Sequence, residues 1–167
     1  SIWCEAEQDA EVTVEANPDS VTPELLETLA MAGVTRVSLG AQSFDDNELA
    51  VLGRPHDAAE AIRAAGWVID AGLALSLDVM CGLPGQSRRS WRESIVMAVA
   101  CGAAHVSVYP LQLEDDTPLA SAVAAGDLTV PGEDEVAAML TTASEMLAAE
   151  GLLRYEVASY ARPGSES

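Results

Sequence analysis

Three polar residues stand at or just past the ends of strand-like runs, where a folded chain can turn side chains onto a ligand. Glu15 closes the alternating run Glu11-Val12-Thr13-Val14-Glu15, ahead of Ala16-Asn17-Pro18. Gln42 follows Thr35-Arg36-Val37-Ser38-Leu39, within Gly40-Ala41-Gln42-Ser43-Phe44. Either residue could cap or brace a loop as readily as touch a ligand. Asp78 is the most informative, because it interrupts Leu75-Ser76-Leu77 and Val79-Met80, a run otherwise suited to full burial. An unpaired carboxylate there is costly, so it needs partners. Backbone amides of the Gly82 to Gly85 loop could supply them structurally, or a ligand could. The turn-rich Gly82-Leu83-Pro84-Gly85-Gln86-Ser87 that follows is either a plain connection or a cradle for an adenine or ribose, and it lacks the spacing of a dinucleotide or Walker loop. A fourth candidate, Arg54 in Leu52-Gly53-Arg54-Pro55-His56, offers a guanidinium for a ligand carboxylate or for a surface ion pair. His56 beside it reads as a loop cap or hydrogen-bonding group rather than an acid-base catalyst.

The elements that must position these groups follow a repeated grammar: a capped helix, a stopping glycine, then a short β-branched strand. Thr22-Pro23-Glu24 opens a helix with the apolar stripe Leu25, Leu26 and Leu29, stopped by Gly33 before the strand 35–39. Asp57 opens a longer helix bearing Ala61, Ile62, Ala65, Val68 and Ile69, stopped by Gly72 before the strand Ala74 to Val79. Ser87 or Ser90 caps a third with Trp91, Ile95, Val96 and Val99, ended by Gly102 before the strand His105 to Tyr109. Further on, Pro118 to Ala125 and Glu133 to Ala149 read as helices, and Tyr155 to Tyr160 as a final strand.

Strands separated by helices cannot be hairpins, so they run parallel with right-handed crossovers. The expected fold class is therefore α/β, a partial (β/α) barrel of TIM type with about four parallel strands, which cannot close a barrel of eight. Residues 1–117 are expected to form part of the barrel core, and residues 118–167 a helical and strand extension packed on it. The chain reads as cut at both ends, beginning in the tail of a helix and stopping at Gly164-Ser165-Glu166-Ser167. An uncovered sheet edge in such a piece predicts self-association.

Composition narrows the partners. Acidic residues number 27 against eight basic ones, all arginine, for a formal net charge of -19, which repels nucleic acid. No apolar stretch reaches the roughly 18 residues of a membrane span, and no basic-flanked signal opens the chain, so a cytoplasmic location is expected. Cys4, Cys81 and Cys101 are separated by 77 and 20 residues, spacing that suits buried thiols and neither a metal site nor a disulfide framework.

The ordered series Glu15-Ala16-Asn17-Pro18, Gly40-Ala41-Gln42-Ser43-Phe44, Leu52-Gly53-Arg54-Pro55-His56 and Asp78-Val79-Met80-Cys81-Gly82-Leu83-Pro84-Gly85-Gln86 resembles the oxygen-independent coproporphyrinogen oxidase and haem-chaperone family of radical S-adenosylmethionine (SAM) proteins. The likeness continues through Tyr109-Pro110-Leu111-Gln112-Leu113-Glu114 and Thr117 to Tyr155-Glu156-Val157-Ala158-Ser159-Tyr160-Ala161-Arg162-Pro163-Gly164. It implies SAM as cofactor. Glu15 would receive the methionine ammonium, and Arg54 and Gln42 would contact the carboxylate end or the sulfonium neighbourhood. Asp78 would hold the ribose hydroxyls, Met80 would lie against the adenine, and Gln112 would offer mainly backbone to the nucleoside.

The family also binds a four-iron four-sulfur cluster through a CxxxCxxC segment on its first barrel strand, and a glycine-rich SAM loop lies on its second. Neither motif occurs in these 167 residues. With no metal ligands expected here, this chain by itself is expected to be inert, and the cluster belongs to the full-length parent. The resemblance implies two parent functions. One is an oxidase that converts porphyrinogen propionates to vinyls by way of a deoxyadenosyl radical, and the other is a chaperone that delivers haem to recipient proteins. The Tyr109 to Thr117 pattern and the Tyr155 to Gly164 stretch look more like the chaperone branch, in which a His-Asn-x-x-Tyr segment, absent here, would bind haem. A third reading is a scaffold with no retained activity.

Overall fold

The computed structural model describes residues 10–167. Cys4 and the expected helix tail at the start lie outside the described residues. The first four strands, β1 (Thr13–Ala16), β2 (Arg36–Gln42), β3 (Ala74–Cys81) and β4 (His105–Pro110), lie side by side in chain order and run parallel. Between them run α1 (Pro23–Met31), α2 (Asp46–Val51), α3 (Ala58–Asp70) and α4 (Arg88–Ala100). After β4 come α5 (Pro118–Ala125) and α6 (Glu133–Ala149), then β5 (Leu153–Arg154) and β6 (Ser159–Ala161).

The helices begin where side chains satisfy their first free amides. Thr22 caps α1, Asp57 caps α3 in a reciprocal box with Glu60, and Ser87 caps α4 with Ser90 completing the box. Gly72 ends α3 at φ +76°, a conformation that side-chain-bearing residues resist. The sheet and its helices then bury one continuous apolar layer that includes Val37, Leu39, Leu75, Leu77, Val79, Val106 and Val108. Trp91 joins it from α4, its indole N–H donating to the Met139 carbonyl of α6 at 2.8 Å. The apolar stripes read from sequence are narrower in the fold. Leu26 is buried but Leu25 is exposed, and Ile62, Ile69 and Val96 also face solvent.

One expected element needs correction. The segment Tyr155 to Tyr160 is not one strand: β5 and β6 form a short antiparallel hairpin, and β6 pairs antiparallel with β4. Arg154 holds the turn by donating to the carbonyls of Glu156 and Val157. This pairing places an antiparallel strand beside β4, so the sheet, in the order β1-β2-β3-β4-β6-β5, remains open among the described residues. The helix that precedes Arg54 is α2, which Asp45 caps by accepting from the amides of Asn47 and Glu48.

Candidate functional site

Parallel register stacks side chains from neighbouring strands in rows across the sheet's concave face. Glu15 lies opposite Ser38, Ser38 opposite Ser76, and Ser76 opposite His105. One step further along, Asp78 lies opposite Ser107. The register of β2 against β3 slips between Leu39 and Gln42, and at that slip Gln42 adopts φ +65°. The Ser43 amide donates to the Ala41 carbonyl at 2.8 Å across Gln42, closing a strained three-residue turn. The His56 ring pins the same carbonyl through Nε2 at 3.2 Å, so His56 hydrogen-bonds the loop as its sequence position suggested.

These elements shape a polar hollow of about 460 Å3 at the carboxyl ends of the strands. Glu15, Gln42, Arg54 and Asp78 all line it, joined by Asn17, Ser38 and Gly40. Among the described residues Arg54 forms no ion pair. Its Nη2 donates to Asn17 Oδ1 at 2.7 Å and reaches the Gly40 carbonyl at 3.5 Å, while its buried Nε has no partner among them. Gly40 keeps the hollow open: a Cβ there would stand 2.8 Å from Gln42 Nε2 and 3.4 Å from Arg54 Nη2. Met80 lies two residues past Asp78 on the same strand face, and Gln112 is exposed beyond β4. Neither is among the residues lining this hollow.

Asp78 is braced by side chains rather than by the amides of the Gly82 to Gly85 loop. Ser38 Oγ donates to it at 3.2 and 3.4 Å, and Ser107 stands opposite it on β4. Burial pushes its carboxyl above the usual carboxylate range, against the opposing pull of Ser107 and Ser38, and the negative charge of Glu15 adds to the rise. Two carboxylates thus share one concavity whose only guanidinium among the described residues is that of Arg54, an electrostatic setting that favours a ligand carrying positive charge.

A smaller hollow of about 190 Å3 continues inward from Glu15, Ser38 and Asp78, toward the amino ends of the strands. Arg36 and His105 form part of its wall. Arg36 pairs with Glu11 at 2.7 Å and donates to the Ser165 carbonyl, whereas its Nε and Nη1 are buried with no partner among the described residues. His105 sits between hydroxyls, 2.8 Å from Ser76 Oγ and 2.8 Å from the Tyr155 hydroxyl. Burial and then the nearby Arg36 charge lower its pKa, with Glu11 opposing. Sequence reasoning singled out neither Arg36 nor Ser38. Strand alternation could have found both, because Arg36, Ser38 and Gly40 fall at every second position of one strand.

The donor set suits a nucleoside with an amino-acid tail, and it does not suit an iron-sulfur cluster. Among the described residues no group of three histidine, cysteine or acidic side chains could hold a metal ion. Cys81 is buried in the apolar layer on the opposite side of the sheet, and burial pushes its thiol up to about 11. Burial raises Cys101 as well, so both thiols are held in the protonated form that binds metal poorly. Among the described residues no helix is long and apolar enough to cross a membrane.

Known proteins resemble this chain in sequence and in fold. The sequence profile of the radical SAM superfamily matches residues 2–98. The heme chaperone HemW of Mycobacterium tuberculosis is 42% identical over 159 residues, which make up 95% of this chain and 41% of that protein. The mitochondrial radical S-adenosyl methionine domain-containing protein 1 of Bos taurus is 39% identical over 161 residues, covering 95% of this chain and 36% of its own length. Among solved structures, the radical SAM enzyme coproporphyrinogen III oxidase (HemN) from Escherichia coli superposes with a TM-score of 0.80 at 21% identity, over 95% of this chain and 36% of that one. The chain therefore spans about two fifths of the length of the curated relatives it matches.

Proposed function

The chain belongs to the radical SAM superfamily, and from that premise we propose that its polar hollow binds SAM within a protein of haem metabolism. The observation that carries the reading is that Glu15, Gln42, Arg54 and Asp78, drawn from three strand ends and the loop between α2 and α3, line one concavity. Glu15 receives the methionine ammonium, and Arg54 with Gln42 takes the carboxylate end. Asp78 accepts from the ribose diol, a role a carboxylate fills well because it offers acceptors only. Met80 lies toward the adenine, and Gln112 contributes backbone beyond it. The cationic ammonium and sulfonium of the ligand offset the repulsion between Glu15 and Asp78, and Gly40 leaves room for the tail. When bound, SAM supplies an activated sulfonium carbon. This chain's own residues orient it and exclude water from its charged end. The described residues do not fit a four-iron four-sulfur cluster.

For the whole protein we propose haem delivery in the cytoplasm rather than catalysis, because the bacterial relative at 42% identity is the heme chaperone HemW of Mycobacterium tuberculosis. Coproporphyrinogen oxidation remains the competing outcome, supported at the level of fold by the likeness to HemN.

Calorimetric titration tests the site. SAM should bind the wild-type chain, and Arg54→Ala should weaken binding by about tenfold or more, the scale of one lost charge-assisted hydrogen bond. Equal affinity in both proteins would remove Arg54 from the site, and no binding by wild type would reject the reading. On the full-length protein, haem titration followed by the Soret band and anaerobic turnover of coproporphyrinogen with SAM separate chaperone from oxidase.

A further inference from the structure

Behind the wall of the hollow lies a carboxylate that the binding role does not use. Glu48, on α2, is 4% exposed, and among the described residues no arginine or histidine pairs with it. Instead it collects three neutral donors. Its Oε2 accepts from Ser43 Oγ at 2.5 Å and from Gln86 Nε2 at 3.0 Å, and its Oε1 accepts from Ser90 Oγ at 2.6 Å. Burying an unpaired charge is costly, and three short charge-assisted bonds are what make it tolerable. The first turns of α2 and α4, which carry Glu48 and Ser90, add the positive ends of their helix dipoles.

Two of the three donors, Ser43 and Gln86, sit in the loops that follow β2 and β3, the strands that carry Gln42 and Asp78 into the hollow. Ser43 directly follows the strained Gln42, accepts the Asp45 amide at 3.0 Å, and meets Ser94 Oγ of α4 at 3.5 Å. Ser94 in turn accepts the Phe44 amide at 3.1 Å. Gln86 donates from the same Nε2 to the Met80 carbonyl at 3.2 Å, while its Oε1 accepts the Leu83 amide at 3.3 Å. One carboxylate therefore joins the loop after β2, which presents Gln42, to the loop after β3, which follows Asp78 and Met80. A strained turn such as that at Gln42 persists only when its surroundings over-determine it, and this network supplies that constraint.

We propose that Glu48 is a positioning residue for the SAM site, clamping the loops after β2 and β3 in their ligand-ready arrangement through Ser43 and Gln86. The proposal rests on the SAM reading for its ligand but not for its clamp. Glu48→Gln keeps the size of the side chain and removes the charge that draws the three donors together.

Two measurements on the full chain test it. In calorimetry, Glu48→Gln should weaken SAM binding about tenfold. The double variant with Gln86→Ala should bind no more than about twofold worse than the weaker single variant, because both substitutions cut the same path. Val106→Ala, a cavity in the apolar layer with comparable loss of Tm, serves as the control and should leave SAM affinity within about twofold. The second measurement needs no ligand: amide hydrogen exchange at Phe44, Asp45 and Leu83 should speed up about tenfold in Glu48→Gln relative to the amides of β4. Unchanged exchange at those amides overturns the clamp, as does SAM binding by Glu48→Gln within twofold of wild type. So does an equal loss of affinity in the Val106→Ala control. If wild type binds no SAM, the SAM reading fails separately and hydrogen exchange alone decides on the clamp.

Discussion

Along β3, Leu75, Leu77, Val79 and Cys81 face the helices and are 2% exposed or less, whereas Ser76, Asp78 and Met80, interleaved with them, lie on the concave face, where Asp78 lines the hollow. Strand β2 repeats the division with Val37, Leu39 and Ala41 against Arg36, Ser38 and Gly40, and β4 with Val106 and Val108 against His105 and Ser107. Unfavourable features collect on one side of this division. The buried side-chain nitrogens without partners among the described residues belong to Arg36, Arg54 and His56, all in or beside the hollow. Asp78, whose carboxyl burial raises, and Gln42, whose backbone is strained, also stand there. The helix-facing side therefore holds the fold together, and the concave side gives up stability to keep polar groups in position, as binding sites commonly do.

The strongest way to break that contrast is to cut the helix-facing side at its most buried point. Leu77 is 0% exposed, and Leu77→Ala should cost about 2–5 kcal/mol in urea denaturation, in the range for large cavities in packed cores. A loss below about 1 kcal/mol would mean that this face is not the one bearing the load.

On the concave side the sign should reverse. Because the folded-state pKa of Asp78 lies above its unfolded value, its ionisation opposes folding, with a cost that is absent below the unfolded pKa and grows as pH rises through the folded one. Asp78→Asn should therefore raise Tm at neutral pH by about 2 °C or more, while SAM binding is lost. The difference in Tm between variant and wild type should shrink as pH falls through the carboxylate range. A variant less stable than wild type at neutral pH would show that the carboxylate helps hold the fold.

The smallest effect concerns His105, whose pKa is lowered by burial, so its neutral form contributes stability above the unfolded pKa of about 6.5 that is lost as pH falls toward the folded value. Thermal melts from pH 7 to 5 should show wild type losing stability faster than His105→Gln. Parallel curves would remove His105 from the acid response.

Much of the fold was legible because its signals are local. Thr22, Asp57 and Ser87 mark helix starts within three residues of the amides they satisfy, and the bounds read for α5 and α6 coincide with those observed. The site was legible only as residue types at strand ends. The sequence left loop amides or a ligand open as partners for Asp78; the donor seen is Ser38, which lies 40 positions earlier and reaches it only through the pairing of β2 with β3. The hairpin of β5 and β6 was missed for a similar reason, since its pairing with β4 depends on an edge that only the assembled sheet presents.

By itself the sequence determined the order and punctuation of the helices and parallel strands, because periodicity, caps and stopping glycines act over a few residues. Only the tertiary structure decided that Glu15, Gln42, Arg54 and Asp78 share one hollow, and that Glu48 is buried among three donors. Contacts between residues dozens of positions apart exist only once the register of a twisted parallel sheet is set, and burial then decides which polar groups must find partners.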